Sequence, residues 1–257
     1  MVASTVIDGR LPALLRDGRP LAGMFIGLPS PALVEMSGHA GFDFVIIDNE
    51  HGPASIETTE HMLRAARASG IAPVVRTQES EILRILDIGA SAIQVPQVES
   101  AAQAARIVAA AKYPPLGSRG AAFSTRAAGY GFFGGTAHVN TSNEGIAVIV
   151  MAETQRALDD LDAILAVPGI DAVFFGPNDL SFSLGHPGQM THPAVVGAIE
   201  RGIDRALGAG VAPGVLATSP DDFHRWAKRG ARYLPMVITG LLGGAMRDAI
   251  AGCRPAR

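Results

Sequence analysis

The sequence predicts an α/β fold, a (β/α)8 barrel of the TIM type, on three observations. Short apolar runs rich in β-branched residues alternate eight times with longer Ala/Leu/Ile stretches at helical spacing. Several short runs are apolar on both faces, as parallel strands are when helices cover one side and a packed core fills the other. The chain has 257 residues, and eight units in roughly 250 residues is typical of a closed barrel. Periodicity alone also fits an open doubly wound sheet; the unit count and the length favour closure. No internal repeat, low-complexity segment or linker stands out, so 1–257 reads as one domain.

Strands are read at 21–26 (LAGMFI), 43–48 (DFVIID), 72–76 (APVVR), 91–96 (SAIQVP), 146–152 (IAVIVMA), 171–175 (DAVFF), 212–216 (APGVL) and 232–236 (RYLPM). In the last two, Pro213 and Pro235 each remove a ladder donor, which weakens them. Helices are read at 30–39, 55–69, 79–87, 99–111, 155–166, 192–209, 219–229 and 238–251. Ser100, Thr154 and Ser219 are placed to cap three of them, the last with Pro220 at the first helical position. The stretch 113–145 is rich in Gly, Ser and Ala and reads as one long irregular loop.

Composition excludes several classes of function. Hydrophobic residues make up 48% of the chain, enough for a large core, and aromatics only 5%, which argues against a nucleic-acid reader built on stacking rings. The net charge of −3 is spread without a basic stripe, so neither nucleic acid nor a membrane surface is an expected partner. The N-terminal stretch carries Asp and Arg within its apolar residues, and no run reaches ~18 uninterrupted apolar residues. With Cys253 as its one cysteine, the chain reads as a soluble cytoplasmic protein without an internal disulfide. Lysine occurs only at Lys112 and Lys228, near predicted helix ends, so no strand offers a Schiff-base lysine.

In such a barrel the chemistry collects at the C-terminal ends of the strands. Strand two ends in Asp48-Asn49-Glu50-His51-Gly52, strand three in Arg76, strand four in Gln94 and Pro96, strand five in Glu153, and strand six in Gly176-Pro177-Asn178-Asp179. Glu153 and Asp179 end neighbouring strands, where two carboxylates repel unless a cation sits between them; all-oxygen ligation suits Mg²⁺ or Mn²⁺. Either acid can equally cap the helix that follows it. His51 is a general-base candidate with Asp48 or Asp87 to orient it, or else a surface histidine. Arg76, closing an apolar strand, needs an anionic partner: a substrate carboxylate or enolate oxygen, or a salt bridge to Glu50 or Glu153.

The segments FDFVIIDNEHGP, VVR, LDIGASAIQVPQVES, KYPPLGSRG and AETQRALDDLDAILAVPGIDAVFFGPNDLS resemble the class II pyruvate aldolases of the HpcH/HpaI aldolase family. That family includes 4-hydroxy-2-oxoheptanedioate aldolase and 2-dehydro-3-deoxyglucarate aldolase. The resemblance spans roughly 12–250, and GPNDLS at its distance from AET is its most specific part. It implies a barrel assembled as a dimer of trimers, with the C-terminal helix exchanged between subunits. It implies a divalent metal, Mg²⁺, Mn²⁺ or Co²⁺, at Glu153 and Asp179, chelated by pyruvate. Backbone N–H groups of Asn178 and Asp179 would hold the pyruvate carboxylate, Arg76 the enolate oxygen, and His51, supported by Asp48 or Asp87, would move the hydroxyl proton. Met151 and Leu216 are assigned to the substrate site.

The sequence departs from the family at Met151, where Gln is usual, and at His186, where an aromatic is common. The leading expectation is cleavage or formation of 4-hydroxy-2-oxo acids from pyruvate and an aldehyde. Oxaloacetate decarboxylation, acyl-CoA lysis and a non-catalytic binding barrel are the alternatives.

Overall fold

The computed structural model describes residues 5–254. Strands β1 (Leu21–Ile26), β2 (Phe44–Asp48), β3 (Ala72–Arg76), β4 (Ala92–Val95), β5 (Ala147–Met151), β6 (Ala172–Phe175), β7 (Ala212–Val215) and β8 (Tyr233–Val237) are parallel and close into a barrel in chain order. Each lies within one residue of its expected bounds. Pro213 and Pro235 do not prevent strand formation; β7 and β8 share only the Gly214–Tyr233 pair, so this seam asks for few ladder donors.

The helices are α1 (Arg10–Asp17), α2 (Pro31–His39), α3 (Ile56–Ser69), α4 (Ile82–Asp87), α5 (Ala101–Ala111), α6 (Gly135–Gly145), α7 (Gln155–Asp159), α8 (Leu161–Leu165), α9 (Pro177–Ser183), α10 (Pro193–Gly208), α11 (Pro220–Arg229) and α12 (Ile238–Cys253). Ser100, Thr154 and Ser219 cap α5, α7 and α11 as expected, each accepting the N–H three residues on. The helix expected over 155–166 breaks at Asp160, whose carboxylate accepts from the Ala101 N–H at 2.8 Å. Among the described residues no helix is long and apolar enough to cross a membrane.

Two elements correct the sequence reading. The supposed loop 113–145 contains a 3-10 turn at Arg126–Gly131 and the eleven-residue helix α6. GTAHVNTSNEG is poor in helix formers, and tertiary bonds hold it instead. Buried Lys112 donates to the carbonyls of Asn143 and Ile146 at 2.8 and 2.6 Å, and the Asn143 side chain pairs with the Tyr113 backbone. The second is α1, which sequence patterning passed over. Its Leu11 and Leu15 join the barrel interior, packed with Leu21, Phe44, Ala72 and Tyr233, and close the N-terminal end.

Alternation along the strands explains where the site lies. Phe44 and Ile46 point into the barrel while Val45 and Ile47 face the helices, and β3 and β5 divide in the same way. Each inward column continues upward: Ile46 to Asp48, Val74 to Arg76, Met151 to Glu153, Phe174 to Gly176. The strand period therefore delivers Asp48, Arg76 and Glu153 to one rim, above an apolar interior.

Candidate active site

A cavity of about 340 Å³ opens at the C-terminal end of the barrel, and Asp48, His51, Arg76, Glu153, Asn178 and Asp179 all line it. A larger one of about 390 Å³, lined by Arg10, Arg67 and Arg126, opens at the opposite end, where none of the strand-end acids reaches.

The turn after β2 is built around the Asp48 carboxylate. Its Oδ1 accepts the backbone N–H groups of Glu50 and His51 at 3.1 and 3.3 Å. A Cβ on Gly52 would lie 2.2 Å from the Asp48 carbonyl oxygen, so the tight turn requires glycine. Arg76 then donates a two-pronged bond to the same carboxylate, Nε to Oδ1 at 2.8 Å and Nη2 to Oδ2 at 2.7 Å, while Nη1 reaches Glu50 at 3.1 Å. Its guanidinium lies over the Phe25 ring, 4.6 Å from the centroid. Burial alone would push the Asp48 carboxyl up. The Arg76 bond and charge, with the two backbone N–H groups, outweigh it and hold Asp48 below the usual carboxylate range.

Glu153 is less well compensated. Oε1 accepts the Gln97 N–H at 2.8 Å, and Gln97 is held at φ 52°, a conformation uncommon outside glycine. Oε2 is buried without a hydrogen-bond partner. Burial, with Asp179 and Glu50 nearby, pushes its carboxyl up to about 7, against the opposing Gln97 N–H and Arg76 charge. A Cβ at Gly176 would lie 2.5 Å from Oε2, so glycine leaves the carboxylate its place. Asn178 and Asp179 stand exposed in the first turn of α9, ahead of its first internal bond from the Leu180 N–H to the Gly176 carbonyl. Asp48 and Glu50 thus pair with the Arg76 guanidinium, while Glu153 has Asp179 and Glu50 as acidic neighbours.

A sequence model of the HpcH/HpaI aldolase/citrate lyase family matches residues 21–242. The chain belongs to that family. It is 38% identical over 232 residues to 2-keto-3-deoxy-L-rhamnonate aldolase of Escherichia coli strain K12, covering 89% of this chain and 86% of that one. It is 37% identical over 231 residues to hydroxypyruvate/pyruvate aldolase of Agrobacterium fabrum, covering 88% and 86%. A family member of known structure from Burkholderia cenocepacia superposes with a TM-score of 0.91 at 34% identity, covering 96% of this chain and all of that one. Membership makes the chain an enzyme of carbon–carbon bond cleavage and formation.

At this rim one cavity is lined by Asp48, His51, Arg76, Met151, Glu153, Asn178, Asp179 and Leu216. The barrel does not bring Asp87 to His51. Helix α4 runs back down the barrel, and its last residue, Asp87, pairs with buried Arg119 at 2.9 Å at the far end. Nor does Asp48 orient the His51 ring: it takes the His51 backbone N–H, and the exposed ring lies 3.9 Å from Glu50 instead. His186 is no part of the cavity; it follows the C-terminal end of α9 and stacks on His192 at 3.5 Å. Sequence reasoning missed Phe25, Phe174 and Val237, which wall the cavity, and the pairing of Gln94 with Tyr233 beneath it at 2.9 Å. The alternation of β1 and β6 was a signal for the two phenylalanines; a contact across 139 positions left none.

Proposed function

We propose that the protein is a divalent-metal-dependent class II aldolase that cleaves and forms 4-hydroxy-2-oxo acids, with pyruvate and an aldehyde as the two halves. The observation that carries the metal requirement is Glu153: a buried carboxylate with one oxygen unpartnered, beside Asp179, in a pocket where acids outnumber the guanidinium. Such a group fits a cation. Among the described residues no three His, Cys, Asp or Glu side chains form a closed metal cage. Two protein carboxylates instead leave positions for water and substrate, as Mg²⁺ and Mn²⁺ sites commonly do. When bound by Glu153 and Asp179, Mg²⁺, Mn²⁺ or Co²⁺ would supply Lewis-acid polarisation of the 2-oxo group.

The chain's own residues account for the remaining steps. Arg76 spends three of its five N–H donors on Asp48 and Glu50. The others, on a guanidinium locked in place, meet the negative charge that develops on the C2 oxygen as the C3–C4 bond breaks. His51, exposed at the cavity mouth, takes the C4 hydroxyl proton as the aldehyde forms. In the synthetic direction it returns that proton. The first-turn N–H groups of Asn178 and Asp179 hold the carboxylate of the 2-oxo acid. Assembly into a homo-oligomer belongs to the same reading, since α12 leaves Leu241, Met246 and Ile250 exposed.

The test is consumption of pyruvate with Mn²⁺ and a panel of aldehydes, with and without EDTA, alongside Glu153→Gln. The expected result is metal-dependent consumption by the wild type, reduced at least about a hundredfold in the variant. Consumption unaffected by EDTA, or undiminished in Glu153→Gln, would overturn the reading.

A further inference from the structure

The floor beneath the two carboxylates has a composition that bears on the choice of 2-oxo acid. Met151 ends β5 and Glu153 follows two residues on, so the Met151 thioether lies one inward position below the carboxylate. With Phe25 and Phe174 it lines the deep end of the cavity. Sδ accepts from the Gln94 Nε2 at 3.2 Å, and Gln94 Oε1 accepts from the Tyr233 hydroxyl at 2.9 Å. Tyr233 in turn stacks on Phe44, ring centroids 4.2 Å apart, and meets Phe174 edge-on at 6.1 Å. Gln94 is fully buried and Met151 only 2% exposed, so the thioether screens the amide from the cavity and is tied down from below.

We infer that Met151 sets donor specificity, selecting a 2-oxo acid whose C3 carries hydrogen or alkyl and rejecting one whose C3 carries a hydroxyl. This rests on the function proposed above. The donor is the half that meets the floor: Arg76 and the Asn178 and Asp179 N–H groups hold it over Met151, Phe25 and Phe174, while exposed His51 marks the mouth by which the aldehyde enters. A hydroxyl on C3 would face a thioether sulfur already engaged by Gln94 and the rings of Phe25 and Phe174. It would lose its water without gaining a strong partner, and apolar pockets reject such a hydroxyl roughly tenfold to a hundredfold. A methyl there, as in 2-oxobutanoate, meets only apolar surface.

The experiment follows C3 proton exchange in D₂O with Mn²⁺, for pyruvate, 2-oxobutanoate and hydroxypyruvate, and measures the dissociation constant of each. In this exchange a C3 proton leaves to a base and a deuteron replaces it. The wild type is expected to favour pyruvate over hydroxypyruvate by roughly tenfold or more in kcat/KM and in binding, with 2-oxobutanoate close to pyruvate. Met151→Gln, similar in shape, places an amide against Gln94 and in the cavity, and should narrow the ratio about tenfold. Met151→Leu keeps the surface apolar and should leave it in place. Equal use of pyruvate and hydroxypyruvate by the wild type, or an unmoved ratio in Met151→Gln, would overturn the inference while the aldolase reading stands. No metal-dependent exchange with any donor would instead remove the aldolase reading and this inference with it.

Discussion

Arg76 shows how far a single side chain organises the rim. Its fork fits the Asp48 carboxylate edge-on, its third donor takes Glu50, and its flat face rests on Phe25. Lysine keeps the charge but offers a point donor, without the planar fork or the stacking face. Arg76→Lys is therefore expected to leave Asp48 or Glu50 poorly paired in a buried setting. We expect a loss of about 2 kcal/mol in unfolding free energy, read from urea denaturation. We also expect kcat to fall by roughly a hundredfold or more, with a smaller effect on pyruvate binding. A variant with wild-type kcat would show that the guanidinium only braces the turn.

At the scale of elements, two glycines on inward columns make opposite predictions for the same added methyl. Gly23 lies low in β1, where a Cβ would fall 2.1 Å from the Phe44 ring, itself stacked on Tyr233. Gly23→Ala has no flexible neighbour to displace and is expected to cost about 1–3 kcal/mol, seen as a lower urea midpoint with an unchanged slope. Gly176 lies at the rim, and its Cβ would meet the free end of Glu153. Gly176→Ala is expected to leave the urea midpoint nearly unchanged but to weaken Mn²⁺ binding by about tenfold or more, because the displaced atom is the proposed ligand; calorimetric titration decides it. The strand columns behind this contrast were legible in the sequence, since a period of two fixes which residues face inward and which strand ends carry Asp48, Arg76 and Glu153. What the pattern did not carry was structure made by distant partners. Helix α6 depends on Lys112 and Tyr113, and α1 reads as a helix only once the barrel end it covers is known. Asp87, expected with Asp48 as an alternative partner for His51, pairs instead with Arg119, where the downward run of α4 takes it within the chain's own barrel.

For the whole molecule, the site's unmet charge appears as a dependence of stability on pH. In the folded, metal-free protein the Glu153 carboxyl is pushed up from 4.5 to about 7, first by burial. Between those values the folded state keeps a proton that the unfolded chain has released, so this group lowers stability as pH rises through the window. At about 1.4 kcal/mol per pKa unit the penalty above pH 7 comes to roughly 3 kcal/mol. Other buried groups titrate as well: burial pushes His138 down, which weakens the fold on the acid side, and pushes Asp171 up. A difference measurement removes them. Glu153→Gln resembles the protonated acid, so without metal it should match the wild type near pH 5.5 and melt higher near pH 8.5. Saturating Mn²⁺ should reverse the order at pH 8.5, because the metal replaces the proton on the wild-type carboxylate and finds no anion in the variant. The Mn²⁺-induced rise in wild-type Tm should accordingly be small at pH 5.5 and grow through pH 7. Equal melting of the two proteins at pH 8.5, with and without metal, would mean that Glu153 is satisfied within the chain itself and that the acid-rich rim serves to bind something other than a cation.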